Sequence, residues 1–410
     1  MKRTTFAGIC SAVFLLLLSI TAINAQQKHS EQTIIEEKLA TFRINQALDK
    51  RTSIVELIRI DSSNARYDIQ ISDPALRLPL EKEMVNITGK VNIIVLPDTS
   101  IGEKKKGLIN LSVANLRTQP SHAAEMATQL LLGAAVDILQ KNAGDYRVRT
   151  AEGYIAWVPT SSVIPITEKE LRIWNAGKRM IYTNEFGKSL SAPDQQSLRV
   201  SDLVYGDIMT LLTEEKNYYK VAYPDGRQAY IPKQEATLFS EWQRSRIPSA
   251  ETVLQSAKTM LGLPYLWGGT SVKGVDCSGF TKMSYFMNGL VIPRDASQQA
   301  LHGEPIDILD NQGNFDTEKA LKNLKPADLL FFAGGKNKNS NARVTHVALY
   351  LGDGQFIHAA GTVRINSMLK EAANYDDFQA RTVVAARRYL GTADPAVQQI
   401  KNSSYYNNVK

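Results

Sequence analysis

The sequence predicts an α+β architecture: two small all-β barrels in tandem, followed by a domain that mixes helices with strands. Three observations carry this. The chain has 410 residues, enough for about two to four domains, and its 43% apolar and 22% charged residues are ordinary globular composition. Residues 107–240 contain a repeat displaced by 73 residues without a gap. From Ala250 the pattern changes from short strands at roughly ten-residue spacing to a helix followed by strands. Wholesale disorder, a collagen-like repeat and a polytopic membrane protein are excluded.

Residues 1–25 read as a secretory signal peptide. Lys2 and Arg3 form a basic start, Ala12 to Ile20 is apolar except for Ser19, and small residues lead to a cut after Ala25. The apolar run is short for a span of about 20 residues, and Cys10 precedes it, the wrong place for a lipidated N-terminal cysteine. No later stretch is long enough to cross a bilayer, so the expectation is an exported protein, periplasmic or extracellular, with no integral membrane segment after signal cleavage. Losing Lys2 and Arg3 takes the formal charge from +7 to +5. Such a mild excess suits anionic cell-wall polymers. It is not a nucleic-acid footprint, because the basic residues are scattered apart from Lys104-Lys105-Lys106. The oligomeric state is not legible.

Residues 26–106 lean helical from Glu31 to Leu48, then show strands around Val55–Ile60 and Val91–Leu96. They form a small domain or an extended arm, without a chemical motif. In the repeat, Gly133, Val136, Ile138, Tyr146, Val148, Gly153, Trp157 and Pro159 return as Gly206, Met209, Leu211, Tyr219, Val221, Gly226, Tyr230 and Pro232. The copies are placed at 107–166 and 170–240, as scaffold, as a binder of wall polymer or as part of a substrate groove. Glu241 to Pro248 is expected as a linker, 250–390 as the α+β domain, and 391–410 as a tail, disordered from Lys401.

The chemistry concentrates around Cys277. With Cys10 removed, it is the one thiol of an exported chain and has no partner for a disulfide. Gly268-Gly269 gives a permissive loop, and Asp276 precedes a run with apolar residues on one helical face, so Cys277 falls in the first turn of a helix. There the macrodipole and unpaired N–H groups favour a thiolate, predicting a lowered pKa and an oxyanion site. A thiolate needs an imidazole to carry protons. His346 lies on a strand pattern, His358 on the next, with Gly352-Asp353-Gly354 between. A three-residue turn pairs 351 with 355 and puts both histidines on one face; a two-residue turn puts them on opposite faces. A second histidine can orient the first. His302 and His122 read as ordinary polar residues. A zinc site on Cys277, His346 and His358 is the weaker rival, since no second cysteine or His-x-x-x-His pair accompanies them. No metal and no cofactor are expected.

These residues resemble a known family. Tyr265-x-Trp267-Gly268-Gly269, Asp276-Cys277-Ser278-Gly279-Phe280, Pro293-Arg294-Asp295, Lys325-Pro-Ala-Asp328, His346-Val-Ala-Leu-Tyr-Leu-Gly and His358-Ala are similar to the NlpC-type (NlpC/p60) cysteine peptidases, papain-like hydrolases of bacterial cell-wall peptides. Asn115-Leu-Arg117-x-x-Pro120 resembles the opening of a bacterial SH3-like domain. The resemblance thus implies a papain-like catalytic domain preceded by two SH3-like barrels, as in the subgroup that cleaves between γ-D-glutamate and a diamino acid in murein peptides with free N-terminal L-alanine. It implies Cys277 as nucleophile, His346 as general base and His358 as orienting residue. It also implies that Tyr265, Trp267, Asp276, Ser278 and Asp295 line the cleft, Tyr265 supporting the oxyanion and the two carboxylates taking an ammonium. Glu125 and Tyr154 of the first barrel are expected to reach toward the cleft and exclude long peptides. Gly334 to Asn341 is an extra polar stretch, a surface loop or a flap. The competing readings are an inactive wall-binding module and an amidase or acyltransferase on the same fold.

Overall fold

The computed structural model describes residues 31–61 and 63–409. The signal-peptide reading of residues 1–25 lies outside them. Among the described residues no helix is long and apolar enough to cross a membrane. The chain divides into two units, the first ending at Ser100.

In the first unit a helix over residues 31–45 buries Ile35, Leu39 and Phe42, one stripe at i, i+4, i+7. The stripe covers a three-stranded sheet of Val55–Asp61, Arg66–Ile71 and Lys90–Val95. The first pair is antiparallel and the second parallel, the crossover being made through the short helix Arg77–Glu83. Tyr67, Ile69 and Ile71 alternate inward. The segment is therefore a small unit with its own core.

The repeat appears as two seven-stranded antiparallel sheets of identical strand order. Each element of the first returns 73 residues on: Lys106–Ile109 as Arg179–Tyr182, Met126–Leu131 as Arg199–Val204, Ala135–Asn142 beside Ile208–Glu214, Ile155–Pro159 as Gln228–Pro232. Among the described residues neither strand ladder closes on itself, so the expected barrels appear as two seven-stranded sheets. The edge strand Met126–Leu131 is covered instead by the hairpin Thr270–Val275. Thr270 N–H donates to Gln129 Oε1 at 3.0 Å, and Thr270 Oγ1 to the Gln129 carbonyl at 2.8 Å. Asp202, on the corresponding edge strand of the second sheet, pairs with Lys273 of the same hairpin.

Two further expectations are corrected. Residues 239–245 form a helix rather than a linker. Its Phe239 and Trp242 are buried and stack at 5.7 Å, an aromatic anchor that a count of polar residues missed. The C-terminal tail is ordered. Gln398–Gln399 pairs with Leu290–Val291, Ile400 and Tyr406 enter the core, and Tyr405 donates to Asp137 Oδ2 at 2.8 Å.

The remaining domain is built on a six-stranded antiparallel sheet in the order Glu304–Pro305, Arg381–Arg388, Leu329–Gly334, Val344–Gly352, Gln355–Ala360, Thr362–Ser367. The helix Cys277–Phe286 packs on it, and all ten of its residues are buried. Phe280 and Met283 meet a core that includes Val347, Leu349 and Ile357; the helix Ala250–Thr259 packs against it; and Lys282 forms a buried ion pair with Glu152 of the first sheet. Burial is the largest influence on Glu152 and acts to raise its pKa, but the Lys282 charge together with the hydrogen bonds to the carboxylate brings it below its ordinary value.

Candidate active site

The cysteine is positioned by a Gly-Gly loop and a first helical turn that leave no room for a Cβ at Gly268, Gly269 or Gly279. Asp276 caps the helix, its Oδ1 accepting from Gly279 N–H at 2.7 Å and its Oδ2 from Gly268 N–H at 2.9 Å. A Cβ at Gly279 would lie 1.9 Å from the Gly269 carbonyl oxygen, and one at Gly268, whose φ is +78°, 2.6 Å from the Met126 carbonyl. The cap, the Gly-Gly loop and the first turn thus close on each other, with Cys277 at the first helical position. Tyr265 N–H bonds to the Gly361 carbonyl at 2.8 Å, tying this loop to the histidine sheet.

The two histidines meet. His346 Nε2 and His358 Nδ1 lie 2.9 Å apart, and both rings are held edge-on, by Phe332 and Phe356 respectively. The turn that makes this possible differs from the one expected. Gly352 pairs with Gln355 across a two-residue turn, with Asp353 and Gly354 at positive φ as a type I′ turn requires. A bulge at Leu351 restores the register, so that Tyr350 pairs with Phe356 and Leu349 with Ile357. The histidines share a face because bulge and turn compensate. Among the described residues the last pair of this ladder is Leu349–Ile357, and the helix that starts at Cys277 packs on the His346 strand. Among the described residues no hydrogen bond joins the sulfur to an imidazole; such contacts are often loose without substrate.

The electrostatics overturn one expectation. Burial, with the Asp276 carboxylate second, pushes the Cys277 thiol up to about 12, outweighing the Val347 and Ser278 N–H groups that favour the thiolate. The helix terminus that should lower the pKa sits where water cannot help it, and its cap is a charged carboxylate. Burial, then the Arg381 charge, takes His358 down to about 3, and burial with His358 and Arg381 takes His346 well below its ordinary value. The resting centre is a neutral thiol beside neutral imidazoles. Burial above all raises the Tyr265 phenol, a thiolate at Cys277 would raise it further and the Asp276 carboxylate adds to this, so the phenol keeps its proton.

The side chains of Asp276 and Ser278, expected to line the cleft, are both held by one buried arginine. Arg294, only 1% exposed, donates Nη2 to Asp276 Oδ2 at 2.7 Å and Nη1 to Oδ1 at 3.1 Å, a bidentate pair. Ser278 Oγ accepts from Arg294 Nη1 at 2.9 Å and donates to Asp276 Oδ1 at 3.2 Å. Arg294 Nε reaches Thr128 Oγ1 at 2.8 Å, so the network extends into the first sheet. Burial alone would lower the arginine's pKa; Asp276 more than reverses this.

The other cleft residues are brought together across the seam with the first sheet. Trp267, 60% exposed, donates Nε1 to Glu125 Oε1 at 2.8 Å, and Tyr154 donates its hydroxyl to Asp295 Oδ2 at 3.3 Å. Three residues went unassigned in the sequence: Arg294, within a quoted motif; Arg381, whose Nη1 lies 3.1 Å from His346 Nε2; and Asn366, whose Oδ1 lies 3.1 Å from His358 Nε2. His302 pairs with Asp394 at 3.2 Å, away from these groups. Gly334 to Asn341 is mostly exposed, its backbone pinned at Ser340 to the Gly313 carbonyl.

Residues 262–382 match the NlpC/P60 family, and residues 116–163 the bacterial dipeptidyl-peptidase Sh3 domain. The chain is 32% identical over 285 residues to a Bacillus cereus protein named gamma-D-glutamyl-L-lysine dipeptidyl-peptidase, an alignment covering 66% of this chain and 77% of that one. It is 29% identical over 289 residues to dipeptidyl-peptidase 6 of Lysinibacillus sphaericus, covering 67% and 95%. A crystal structure of an NlpC/P60 family protein from Bacillus cereus superposes with a TM-score of 0.56 at 26% identity, over 70% of this chain and 99% of that one. With a buried cysteine at a helix start and a histidine pair on the adjoining sheet, the chain belongs to the NlpC/P60 family and is a cysteine peptidase.

Proposed function

We propose that the enzyme is exported and hydrolyses the amide between the γ-carboxyl of D-glutamate and the following diamino acid in cell-wall peptides, acting on short fragments with a free N-terminal L-alanine. The observation that carries this is the seam: Glu125 and Tyr154 of the first sheet meet Trp267 and Asp295 beside the cysteine loop. Two carboxylates there suit an ammonium group, and in this reading the first sheet would block a longer or glycan-attached peptide. The names carried by the relatives from Bacillus cereus and Lysinibacillus sphaericus agree with a dipeptide-releasing action. We read the second seven-stranded sheet as a second SH3-like unit, given its identical strand order.

In this reading His346 takes the Cys277 proton as the sulfur attacks the γ-carbonyl carbon. The helix-start N–H groups and the Tyr265 hydroxyl hold the oxyanion. The C–N bond breaks as the leaving amine takes the proton back from His346. Water, activated by the same imidazole, hydrolyses the thioester, releases L-Ala-D-Glu and restores the thiol. Because the resting pair is neutral, proton transfer accompanies attack instead of preceding it.

The test is mass spectrometry of L-Ala-γ-D-Glu with diaminopimelate or lysine at the third position, beside its N-acylated form and intact wall, using the protein lacking its signal and its Cys277→Ala variant. Release of L-Ala-D-Glu by the wild type alone is expected. Cleavage only of N-acylated peptide or intact wall would discard the free-amine specificity, and release of lactyl-sugar would mean an amidase.

A further inference from the structure

Asn366 stands on the strand Thr362–Ser367, next to the His358 strand. Its side-chain amide has both ends fixed by partners of opposite kind. Arg364 Nε, which can only donate, lies 3.1 Å from Oδ1; the Asn374 carbonyl, which can only accept, lies 3.2 Å from Nδ2. Oδ1 therefore faces His358 Nε2 as an acceptor at 3.1 Å, and that nitrogen carries the proton. A neutral His358 then presents a lone pair at Nδ1, 2.9 Å from His346 Nε2. His346 must donate there, which leaves its Nδ1 bare.

We infer that Asn366 is a positioning residue of the peptidase: acting through His358, it holds His346 in the Nε2–H tautomer, the only neutral form whose Nδ1 can accept the Cys277 proton. The inference rests on the roles given to Cys277, His346 and His358 above. The opposite tautomer has its own support in the site. Arg381 Nη1 lies 3.1 Å from His346 Nε2 and 3.4 Å from His358 Nδ1, and as a pure donor it favours a bare Nε2 on His346. If His358 carried its proton on Nδ1 instead, it would join Arg381 in donating to that nitrogen, and His346 would keep its proton where the base is needed. Asn366, whose Oδ1 accepts at His358 Nε2, opposes this. The charged groups about the pair are Arg381, with Asp376 4.0 Å from its Nε, and Arg364.

The experiment uses the full chain without its signal, with nitrogen-15-labelled histidine, and compares wild type, Asn366→Leu and Asn366→Asp, assigning signals with His346→Gln and His358→Gln. Both wild-type histidines should appear as Nε2-protonated neutral rings. Leucine removes the acceptor at similar volume: Nδ1–H forms should appear in both rings, and kcat should fall about a hundredfold, the lower end of what general-base catalysis contributes, with KM within about twofold. Aspartate keeps the acceptor, so the wild-type tautomers and most of kcat should remain, while its charge beside His358 moves the acid limb of kcat/KM to higher pH. If leucine disrupts folding, the aspartate spectrum and pH shift still decide. Nδ1-protonated rings in the wild type, or a leucine variant with unchanged histidine signals, would overturn the inference. The spectra decide even if the proposed peptide is not turned over.

Discussion

Cys277 meets two opposing influences: a helix start that favours the thiolate, and burial behind a carboxylate that favours the thiol. With the thiol at about 12 and His358 at about 3, burial dominates, and His346 falls in the same direction. The sign follows for catalysis. Protonating His346 removes the base, so the acid limb of kcat/KM should lie below 6.5, its ordinary imidazole value; a limb at or above that value, in a pH profile on the tripeptide, would contradict the buried neutral pair. Arg294→Met should destabilise by about 3–5 kcal/mol in urea unfolding, because Asp276 is left buried without its partner, and Arg294→Met with Asp276→Asn should recover part of the loss. Cys277, His346 and His358 were legible because a lone thiol at a helix start and two strand histidines are unusual residue types for their settings. Arg381 and Asn366 were not. Arginine and asparagine on strands are ordinary, and their roles arise only when the sheet order brings them to the histidines.

At the scale of elements, the hairpin and the cysteine turn set the geometry. The sequence reading had the histidines on one face by a wrong turn: a bulge cannot be read from composition, and here it offsets the two-residue turn. The helix start was legible because Asp276, Cys277 and Gly279 each answer a local need. Gly279→Ala is the sharpest probe of that packing. Its Cβ would meet the Gly269 carbonyl oxygen at 1.9 Å, a backbone atom that no side-chain rotation can move aside. The expected outcome is about 1–3 kcal/mol lost, as for overpacked cores, together with activity lowered more than the Tm change explains, since the clash displaces Cys277. Thermal melts and kinetics on the same preparation check both. The helix at Phe239–Ser245 escaped the reading because two buried aromatics among charged neighbours look like a linker until something covers them.

For the molecule as a whole, the C-terminal residues act as a strap. Arg179 donates Nη2 to the Tyr406 carbonyl at 2.6 Å, and the Tyr406 ring packs on Phe239 and Phe286 at 6.4 and 6.5 Å, joining the second sheet to the cysteine helix. Tyr406→Ala should lose about 3–5 kcal/mol, as large aromatic truncations do, measured by denaturant melts; a loss within about 0.5 kcal/mol, the range of surface substitutions, would mean the strap is decorative. A tail rich in Ser, Tyr and Asn reads as unstructured because nothing local says where its tyrosines go. The 73-residue repeat has a different consequence. Gln129 and Asp202 are equivalent positions, and both grip the hairpin Thr270–Val275. The positions equivalent to Glu125 and Tyr154, however, are Leu198, 80% exposed, and Arg227, paired with Asp225. The two halves are pseudo-symmetric in the way they grasp their neighbour and asymmetric in the chemistry they present to it. A chimera that exchanges the halves would keep the grip and lose the acid and the phenol at the cleft mouth.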